Sequence, residues 1–293
     1  MPSWTGSSAA TRNRWCSACH RDPTRGLPWT DASAWSGTTE AARAWEWILA
    51  SEAVPSPPPA VAWLGIDGFD HPAATVAAAH ARGDKVWCYL SVGTAESYRP
   101  DYDDFLALDA AERAAGREPV VGDVYPEWPD ERWLNPRRLD VLMPLLEARL
   151  DMCAAKGFDA VELDNMDGYD NETGLAITRA DELAYVRAIA AAARARGLQV
   201  LHKVAVDLVP DLVGELDAIL LEDCVLYDQC AAAAPYAAAG KPVWNVEYPE
   251  AWADEDRRFD LDAVCDAATA AGTNTLIKRL DLDADTIACL LRP

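Results

Sequence analysis

Eight short apolar runs, separated by longer segments with helical patterning, follow one another from residue 44 onward. Several runs are almost continuously apolar, which is typical of strands buried on both faces of a sheet. Strands that alternate with helices pair in parallel. Eight of them therefore predict an α/β fold in the form of a closed (β/α)8 TIM barrel. The runs are AWEWILA (44–50), VAWLGID (61–67), KVWCYLSVG (85–93), DAVELDN (159–165), LQVLHKV (198–204), DAILLEDC (217–224), KPVWNVEY (241–248) and NTLIKRL (274–280).

A single domain is expected to hold most of the 293 residues. The barrel is predicted over residues 39–293, and residues 1–38, which show no clear periodicity, are predicted to form an irregular extension. An open doubly wound sheet is the alternative, but no glycine-rich phosphate loop follows the first strand. The longest connection joins the third and fourth strands and includes DAAERAAGREP (109–119).

Several helix ends are indicated by residues that start or stop helices. Asn135-Pro136 supplies an N-cap and a first-turn proline, and Gly157 would close the same segment. Thr178 resembles the first residue of a capping box. Pro144 lies inside the segment that starts at Asn135, so a kink or a second helix start is expected there.

Acidic residues outnumber basic residues, 48 to 26, for a formal net charge of -22. This charge disfavours nucleic acid and anionic lipid as partners and suits a cationic ligand, although acidity also keeps proteins soluble. No run of about 18 apolar residues appears, so no membrane-spanning segment is expected. The N-terminal stretch as given lacks the continuous apolar core of a signal peptide. We expect a monomer.

The eight cysteines are too sparse for a cysteine-stapled mini-protein. Cys88 and Cys153 have apolar neighbours and are expected to be inert core residues. Cys224 and Cys230 flank a turn and are close enough in sequence to bridge, but only geometry decides whether they do. The CSACH segment (16–20) matches the pattern of covalent haem attachment. About 40 residues are too few for a haem domain, so no cofactor is expected.

Ionisable or polar groups end nearly every predicted strand. In a parallel barrel the chemistry lies at the carboxyl ends of the strands, so these groups mark the expected site. Clustered carboxylates could hold calcium or magnesium, but the acidic run after Asp164 does not match an EF-hand and the histidines form no ligand pair. No metal is therefore expected, and a metal-dependent hydrolase remains an alternative. The groups are Asp67, Asp70, Ser91, Glu96, Asp164, Asp167, Lys203, Glu222, Asp223, Glu247, Tyr248, Lys278 and Arg279.

Two carboxylates alone can cleave a glycosidic bond. One protonates the leaving oxygen, and the other attacks the sugar carbon or activates water. Aromatic rings commonly line such clefts. The chain has 12 Trp against 4 Phe, and Trp128, Trp133 and Trp252 lie in predicted loops. They would serve either as sugar platforms or as anchors that pack loops onto the barrel rim.

Taken together, the strand motifs resemble those of the endo-α-1,4-polygalactosaminidase family of glycoside hydrolases. The resemblance implies a (β/α)8 barrel that hydrolyses α-1,4-linked galactosamine or N-acetylgalactosamine polymers, usually outside the cell. It covers residues 44–280 and rests on WEWIL, IDGFD, KVWCYLSVGTAESYRPD, GFDAVELDNMDGYDNETG, LEDCVLYDQC and GKPVWNVEY.

The resemblance also implies which residues carry the chemistry. The family's two catalytic carboxylates fall on Asp164, as nucleophile, and Glu222, as general acid/base of a retaining mechanism. The cysteines of LEDCVLYDQC resemble the family's paired cysteines, which implies a Cys224–Cys230 disulfide and an oxidising compartment. The sugar subsite is expected to include Asp67, Asp70, Tyr89, Ser91, Trp133, Asp167, Tyr169, Lys203, Glu247 and Tyr248.

The implied partner is a polysaccharide that carries ammonium groups, which clustered carboxylates would hold. The fifth strand departs from the family's pattern, because Val204 follows Lys203 where the family usually has asparagine. The missing amide removes a donor and an acceptor from the pocket. A carbohydrate-binding barrel without catalysis is therefore a further alternative.

Overall fold

The computed structural model describes residues 45–50 and 54–289. The predicted extension over residues 1–38, with its CSACH segment, lies outside the described residues. The strands are β1 (Trp45–Ile48), β2 (Trp63–Asp67), β3 (Lys85–Ser91), β4 (Thr94–Glu96), β5 (Val121–Tyr125), β6 (Trp128–Leu134), β7 (Ala160–Asp164), β8 (Gln199–Lys203), β9 (Ala218–Glu222), β10 (Val243–Glu247), β11 (Asn274–Ile277) and β12 (Ile287–Ala288). The α-helices are α1 (Ala73–His80), α2 (Tyr102–Ala114), α3 (Leu139–Lys156), α4 (Arg179–Ala195), α5 (Val209–Leu212), α6 (Ala234–Ala238), α7 (Pro249–Asp254) and α8 (Leu261–Ala270).

Nine strands form one curled, mostly parallel sheet in the order β1-β2-β3-β7-β8-β9-β10-β11-β12. The first eight are parallel and follow the chain order, and only β12 is antiparallel. All eight strands predicted from the apolar runs are confirmed, and the α/β class with them. Their side chains are buried on both faces because helices cover the outside of the sheet and the curl encloses the inside.

The prediction of a closed barrel is wrong in one respect, because no backbone ladder joins β1 to β11 within the described residues. The reason is β12, whose two residues pair with Leu276 and Ile277 and occupy the edge of β11 that would otherwise meet β1. The sheet nevertheless curls far enough to stack distant strands. The ring of Trp244, on β10, lies 5.5 Å from Trp45 on β1 and 4.9 Å from Trp87 on β3.

Side chains bridge the gap that the backbone leaves open. Lys278, just after β11, is fully buried and donates from Nζ to Oε1 of Glu46 on β1 at 2.8 Å. The same ammonium donates to the hydroxyl of Thr286 at 2.7 Å. In addition, Nε1 of Trp45 donates to the carbonyl oxygen of Asn274 at 3.2 Å. The Lys278 ammonium thus has an acceptor for each of its protons. In a buried ion pair, such hydrogen bonds help to offset the free-energy cost of desolvating both charges.

The long connection after β3 contains a small antiparallel sheet in the order β4-β6-β5, together with α2. We call the segment from Thr94 to Leu134 the insert. Its strands were not predicted, because they pair with one another and β5 and β6 carry exposed polar residues instead of an apolar run. The insert joins the main sheet where Leu134 donates its N–H to the carbonyl of Gly93 at 2.8 Å.

The predicted helix ends agree with the structure, with one exception. Asn135 caps a 3-10 turn that leads into α3, and Gly157 ends α3 in the left-handed region at φ 90°. Thr178 forms a complete capping box with the first turn of α4. Of the two outcomes expected at Pro144, a second helix start is wrong, since α3 runs through it. Proline removes one intrahelical hydrogen bond there, and packing of the buried face of α3 holds the helix together.

Three disulfides tie the described residues together. The predicted bond between Cys224 and Cys230 is confirmed. The interpretation of Cys88 and Cys153 as inert core residues is wrong, because they bond β3 to α3. Both were correctly expected to be buried, but residues 65 apart in sequence meet only through the fold. The third bond joins Cys265 on α8 to Cys289 beyond β12.

Replacing Cys88 and Cys153 together by alanine should lower the free energy of unfolding by about 4 kcal/mol, because their bond closes a 65-residue loop in the unfolded chain. The same change at Cys224 and Cys230, which are 6 residues apart, should cost about 2 kcal/mol. Urea denaturation under oxidising conditions measures both. Equal losses from the two double variants would contradict this dependence on loop length.

Candidate active site

Three neighbouring strands bring one cation and two carboxylates together. Strands β7, β8 and β9 end at Asp164, Lys203 and Glu222 and lie side by side in that order. Nζ of Lys203 lies 3.0 Å from Oδ1 of Asp164 and 2.9 Å from Oε2 of Glu222. Because both oxygens contact one nitrogen, they lie no more than about 6 Å apart, which is short enough for two carboxyl groups to act on one bond.

Each of these carboxylates also accepts a hydrogen bond from a buried tyrosine. The Tyr89 hydroxyl, on β3, donates to Oδ2 of Asp164 at 2.8 Å, and the Tyr248 hydroxyl donates to Oε1 of Glu222 at 2.5 Å. Burial alone would lower the pKa of Lys203, but the charges of Asp164 and Glu222 outweigh it and raise that pKa well above its usual value. Lys203 is therefore a cation throughout the physiological pH range.

A third carboxyl lies beneath this group. Glu162, two residues before Asp164 on β7, is fully buried, and its Oε2 accepts from Nε1 of Trp87 at 2.7 Å. Its Oε1 has no hydrogen-bond partner in the described part of the chain and lies 3.7 Å from Nζ of Lys203. Burial is the main reason that the pKa of Glu162 is raised to about 8. Burial therefore favours the protonated, neutral form of Glu162.

The insert meets the site at Gly93 and Asn165. A Cβ atom at position 93 would lie 1.6 Å from the carbonyl oxygen of Asn165, so only glycine permits this approach. The Asn165 amide donates to the hydroxyls of Ser91 at 3.0 Å and Thr94 at 3.2 Å, and to Oε2 of Glu131 at 3.2 Å. Asn165, the residue after Asp164, is thereby hydrogen-bonded to strands β4 and β6 of the insert.

Two further carboxyls lie beside Asp164 on the insert side. Burial, followed by the charges of Glu96 and Asp164, raises the pKa of Glu131 to about 7. Burial and the charge of Asp164 raise the pKa of Asp167 to about 6. Tyr125 on β5 completes this side of the site, and its ring packs 4.6 Å from that of Trp133.

The structure brings five of the ten predicted sugar-subsite residues to the pair formed by Asp164 and Glu222. These five are Lys203, Tyr89, Tyr248, Ser91 and Asp167. Trp133 is buried behind Tyr125 and exposes almost no ring face. Asp70 is exposed in the loop after β2, and Tyr169 donates its hydroxyl to Asp207 on the outer surface.

Asp67 and Glu247 are not brought to the site as free ligands. Both oxygens of Asp67 accept from the guanidinium of Arg99, which also pairs with Glu96. Glu247 is fully buried and accepts from the backbone N–H groups of residues 225 and 226 and from Nε1 of Trp252. Trp252, predicted as a sugar platform or a loop anchor, is therefore an anchor. The carboxylates of Asp67 and Glu247 hold loops in place.

The sequence interpretation missed Glu162, Glu131, Tyr125 and Asn165. Glu162 could have been found, because it lies on the same face of its strand as Asp164. Glu131 and Tyr125 lie in the insert, far from any predicted strand end, and no local signal places them beside Asp164. Trp128, the other predicted platform, is about half exposed on β6.

The residues that follow Asp164, Lys203 and Glu222 all adopt left-handed backbone conformations. Asn165 has φ 62°, Val204 has φ 39° and Asp223 has φ 49°. Asparagine and aspartate tolerate this region, whereas a β-branched residue does so only under strain. The family's usual asparagine would fit this conformation at position 204. Valine in its place therefore strains the backbone.

Neither a membrane-spanning helix nor a metal-binding cluster occurs among the described residues. None of the described helices combines the length and apolar character needed to cross a bilayer. Within residues 45–50 and 54–289, no group of three or more His, Cys, Asp or Glu side chains is arranged to hold a metal ion.

The profile of glycoside-hydrolase family GH114 matches residues 26–292. The chain belongs to family GH114. The match includes every strand of the curled sheet and the insert, so the resemblance noted in the motifs is confirmed across most of the chain.

Two solved structures are similar to this fold. The crystal structure of Aspergillus fumigatus Ega3 in complex with galactosamine is 32% identical and superposes with a TM-score of 0.72, over 86% of this chain and 100% of that one. The glycoside hydrolase domain of PelA from Pseudomonas aeruginosa is 16% identical with a TM-score of 0.59, over 84% and 97% of the two chains, and supports the fold alone.

A curated relative from Deinococcus radiodurans, described as an uncharacterized protein, is 31% identical over 201 residues. The match covers 62% of this GH114 chain, and the chain spans 61% of the length of that relative.

Replacing Val204 by asparagine should raise the free energy of unfolding by about 1 kcal/mol, because asparagine adopts the left-handed conformation at lower cost than valine. Urea denaturation measures the change. Val206→Asn is the matched control, since it makes the same side-chain change two residues later and relieves no left-handed backbone. If the two variants change the free energy of unfolding by the same amount, the valine at position 204 is not strained as its φ angle indicates.

Proposed function

We propose that the protein is a glycoside hydrolase that cleaves α-1,4-linked galactosamine polymers with Asp164 and Glu222. The observation that carries the proposal is the shared contact of both carboxylates with Lys203. Membership of family GH114 and the likeness to Ega3, which was crystallised with galactosamine, support the reaction class and the sugar.

The mechanism we propose is retaining. Asp164 attacks the anomeric carbon while Glu222 gives its proton to the leaving oxygen, so the glycosidic bond breaks as a bond to Asp164 forms. Water then attacks the same carbon, passes a proton to Glu222 and releases Asp164. Retaining enzymes hold their carboxyls about 5–5.5 Å apart, and the limit that Lys203 sets on the nearest oxygens agrees with this value.

Lys203 has a role in both halves of this reaction. In the resting site its ammonium stabilises the ionised nucleophile, with the Tyr89 hydroxyl as the second donor to Asp164. Once Asp164 is esterified it has no charge, and Glu222 has lost its proton. The same ammonium then faces the new charge on Glu222, which lies 2.9 Å from it. One buried cation thus compensates whichever carboxylate is ionised.

The substrate we propose is a cationic polysaccharide. The net charge of -22 and the carboxyls around Asp164 attract ammonium groups. Three disulfides are stable only in an oxidising compartment, so we place the activity outside the cytoplasm. We propose that a monomer suffices, because the residues that meet at the site come from one chain.

A carbohydrate-binding protein without catalysis is the second candidate, and the strained Val204 beside Lys203 favours it. The two candidates differ in product formation. Incubation with fully deacetylated and with N-acetylated galactosamine polymers, followed by mass analysis, shows chain shortening only for a hydrolase. Adding a strong chelator to the same reaction tests the metal-dependent alternative, which predicts that shortening stops.

Asp164→Asn and Glu222→Gln should each reduce cleavage by about a hundred- to ten-thousandfold without loss of the thermal unfolding transition, since each removes one acid–base or nucleophilic group. The measurement is the initial rate of reducing-end release from the deacetylated polymer. Asp170→Asn, which removes a carboxylate from the loop after Asp164, is the matched control and should keep its rate. Wild-type activity in either site variant would remove that residue from the mechanism.

The anomeric configuration of the first product provides an independent check. Proton NMR during early turnover should show the α-anomer before mutarotation, because two displacements at one carbon restore its configuration. Initial formation of the β-anomer would mean that Asp164 activates water instead of attacking the sugar.

A further inference from the structure

His202 lies on β8 directly before Lys203, and its side chain points out of the sheet. Successive side chains alternate between the two faces of a strand, so the inward direction of Lys203 turns the imidazole outward. The ring is fully buried there. Its Nε2 lies 3.2 Å from the carbonyl oxygen of Ala205, and its Nδ1 lies 3.0 Å from the hydroxyl of Tyr236 on α6. The imidazole thus connects α6 to the turn that follows β8.

These contacts determine which ring nitrogen carries the proton. A carbonyl oxygen only accepts hydrogen bonds, so Nε2 of His202 must donate to Ala205. Burial lowers the pKa of His202 to about 4, although the hydrogen bond to Ala205 and the charge of Asp207 oppose it. The ring is therefore neutral at physiological pH, with one donor and one acceptor. Nδ1 then accepts from the Tyr236 hydroxyl, which selects the tautomer that the contact with Ala205 requires.

The turn that receives this hydrogen bond is strained. Val204 and Ala205 both have φ 39°, in the left-handed region that residues other than glycine adopt singly. Such backbone persists where surrounding contacts determine it. The Val204 N–H donates to the carbonyl of Leu220 at 2.9 Å. The Ala205 carbonyl accepts from the N–H of Leu208 at 3.0 Å and from His202. His202 therefore adds a side-chain contact to the backbone bonds that hold the strained turn.

The conformation of this turn matters because Lys203 immediately precedes it. The Lys203 ammonium contacts Asp164 at 3.0 Å and Glu222 at 2.9 Å. A turn that relaxed out of the left-handed region would change the backbone direction at the end of β8, from which the lysine side chain extends. The ammonium would then no longer contact both acids at these distances.

We propose that His202 is a positioning residue that holds the turn after β8 and thereby keeps the Lys203 ammonium between Asp164 and Glu222. It acts through the lysine, from the opposite face of the sheet. The inference rests on the proposed function, because it gives His202 a part in the cleavage step. Loss of the hydrogen bond to Ala205 should therefore slow the chemical step and leave binding of the polymer nearly unchanged.

Two substitutions separate the roles of the two ring nitrogens. Glutamine places an amide donor near the position of Nε2, whereas the shorter asparagine reaches only the position of Nδ1. His202→Asn should lower kcat on the deacetylated polymer about three- to tenfold, the effect of one hydrogen bond, and change KM by less than about twofold. His202→Gln should keep kcat within about twofold of wild type. Wild-type kcat in His202→Asn, or equal losses in both variants, would overturn the proposal.

His71→Asn is the matched control for the loss of a buried imidazole. His71 is buried in the loop between β2 and α1 and does not contact the turn after β8. Its substitution should lower the temperature of thermal unfolding and keep kcat within about twofold of wild type. An equal fall of kcat in His71→Asn and His202→Asn would mean that general loss of packing explains both, and the positioning role would be rejected.

Heteronuclear NMR of the histidine side chains in the wild-type chain tests the same contact without any substitution, so it also applies if the His202 variants do not fold. At about pH 6 an unperturbed histidine is mostly protonated. His202 should instead be neutral, with its proton on Nε2. A neutral ring with its proton on Nδ1 could not donate to Ala205 and would overturn the proposal.

The NMR signal of the Lys203 ammonium distinguishes this inference from the proposed function. In protein with isotope-labelled lysine and no substrate, the signal should shift in His202→Asn and stay unchanged in His202→Gln. That result, without shortening of the polymer by the wild type, would reject the hydrolase and keep the positioning role. Shortening by the wild type, with the Lys203 signal and kcat both unaffected by His202→Asn, would keep the hydrolase and reject the positioning role.

Discussion

The candidate site depends on the ion pairs of the Lys203 ammonium with Asp164 and Glu222. Whichever of the two carboxyls on β7 and β9 is ionised would lack a compensating charge if no cation lay between them. The strand that carries the cation is the one that lies between theirs, so the sheet order itself determines the arrangement. Because the lysine is buried and contacts both acids, it limits how far they can move apart, and it compensates their charge where water does not.

This arrangement requires the sheet to curl, and the curl has identifiable causes. Trp45, Trp87 and Trp244 fill the interior and bring strands that are distant in the sheet order into contact. Lys278 and Glu46 then connect the last parallel strand to the first, where β12 prevents a backbone ladder. Two of the buried ion pairs therefore have matching tasks. One spans the gap between the first and last parallel strands, and the other holds Asp164 and Glu222 together.

The sequence predicted the main sheet well because each of its strands is buried on both faces and therefore reads as an apolar run. The insert was missed because its strands pair with one another, and exposed polar residues interrupt their pattern. For the site, the rule that chemistry lies at strand ends predicted Asp164, Lys203 and Glu222, and the structure places these three side chains in contact. The same rule also selected Asp67 and Glu247, since it does not show whether a carboxylate is already engaged by Arg99 or by backbone donors. Tertiary contacts also decide disulfide pairing, and so the partner of Cys88 could not be read from its neighbours.

The junction at Gly93 separates the curled sheet from the insert. The curled sheet carries Asp164, Lys203 and Glu222, whereas the insert leaves the sheet at Gly93, where the backbone approaches Asn165 closely. Thr94 and Glu131 are the insert residues that bond Asn165, the residue after Asp164, so changes elsewhere in the insert leave this link to Asp164 intact. The rest of this segment can therefore differ in length or sequence while Lys203 keeps its contacts with Asp164 and Glu222.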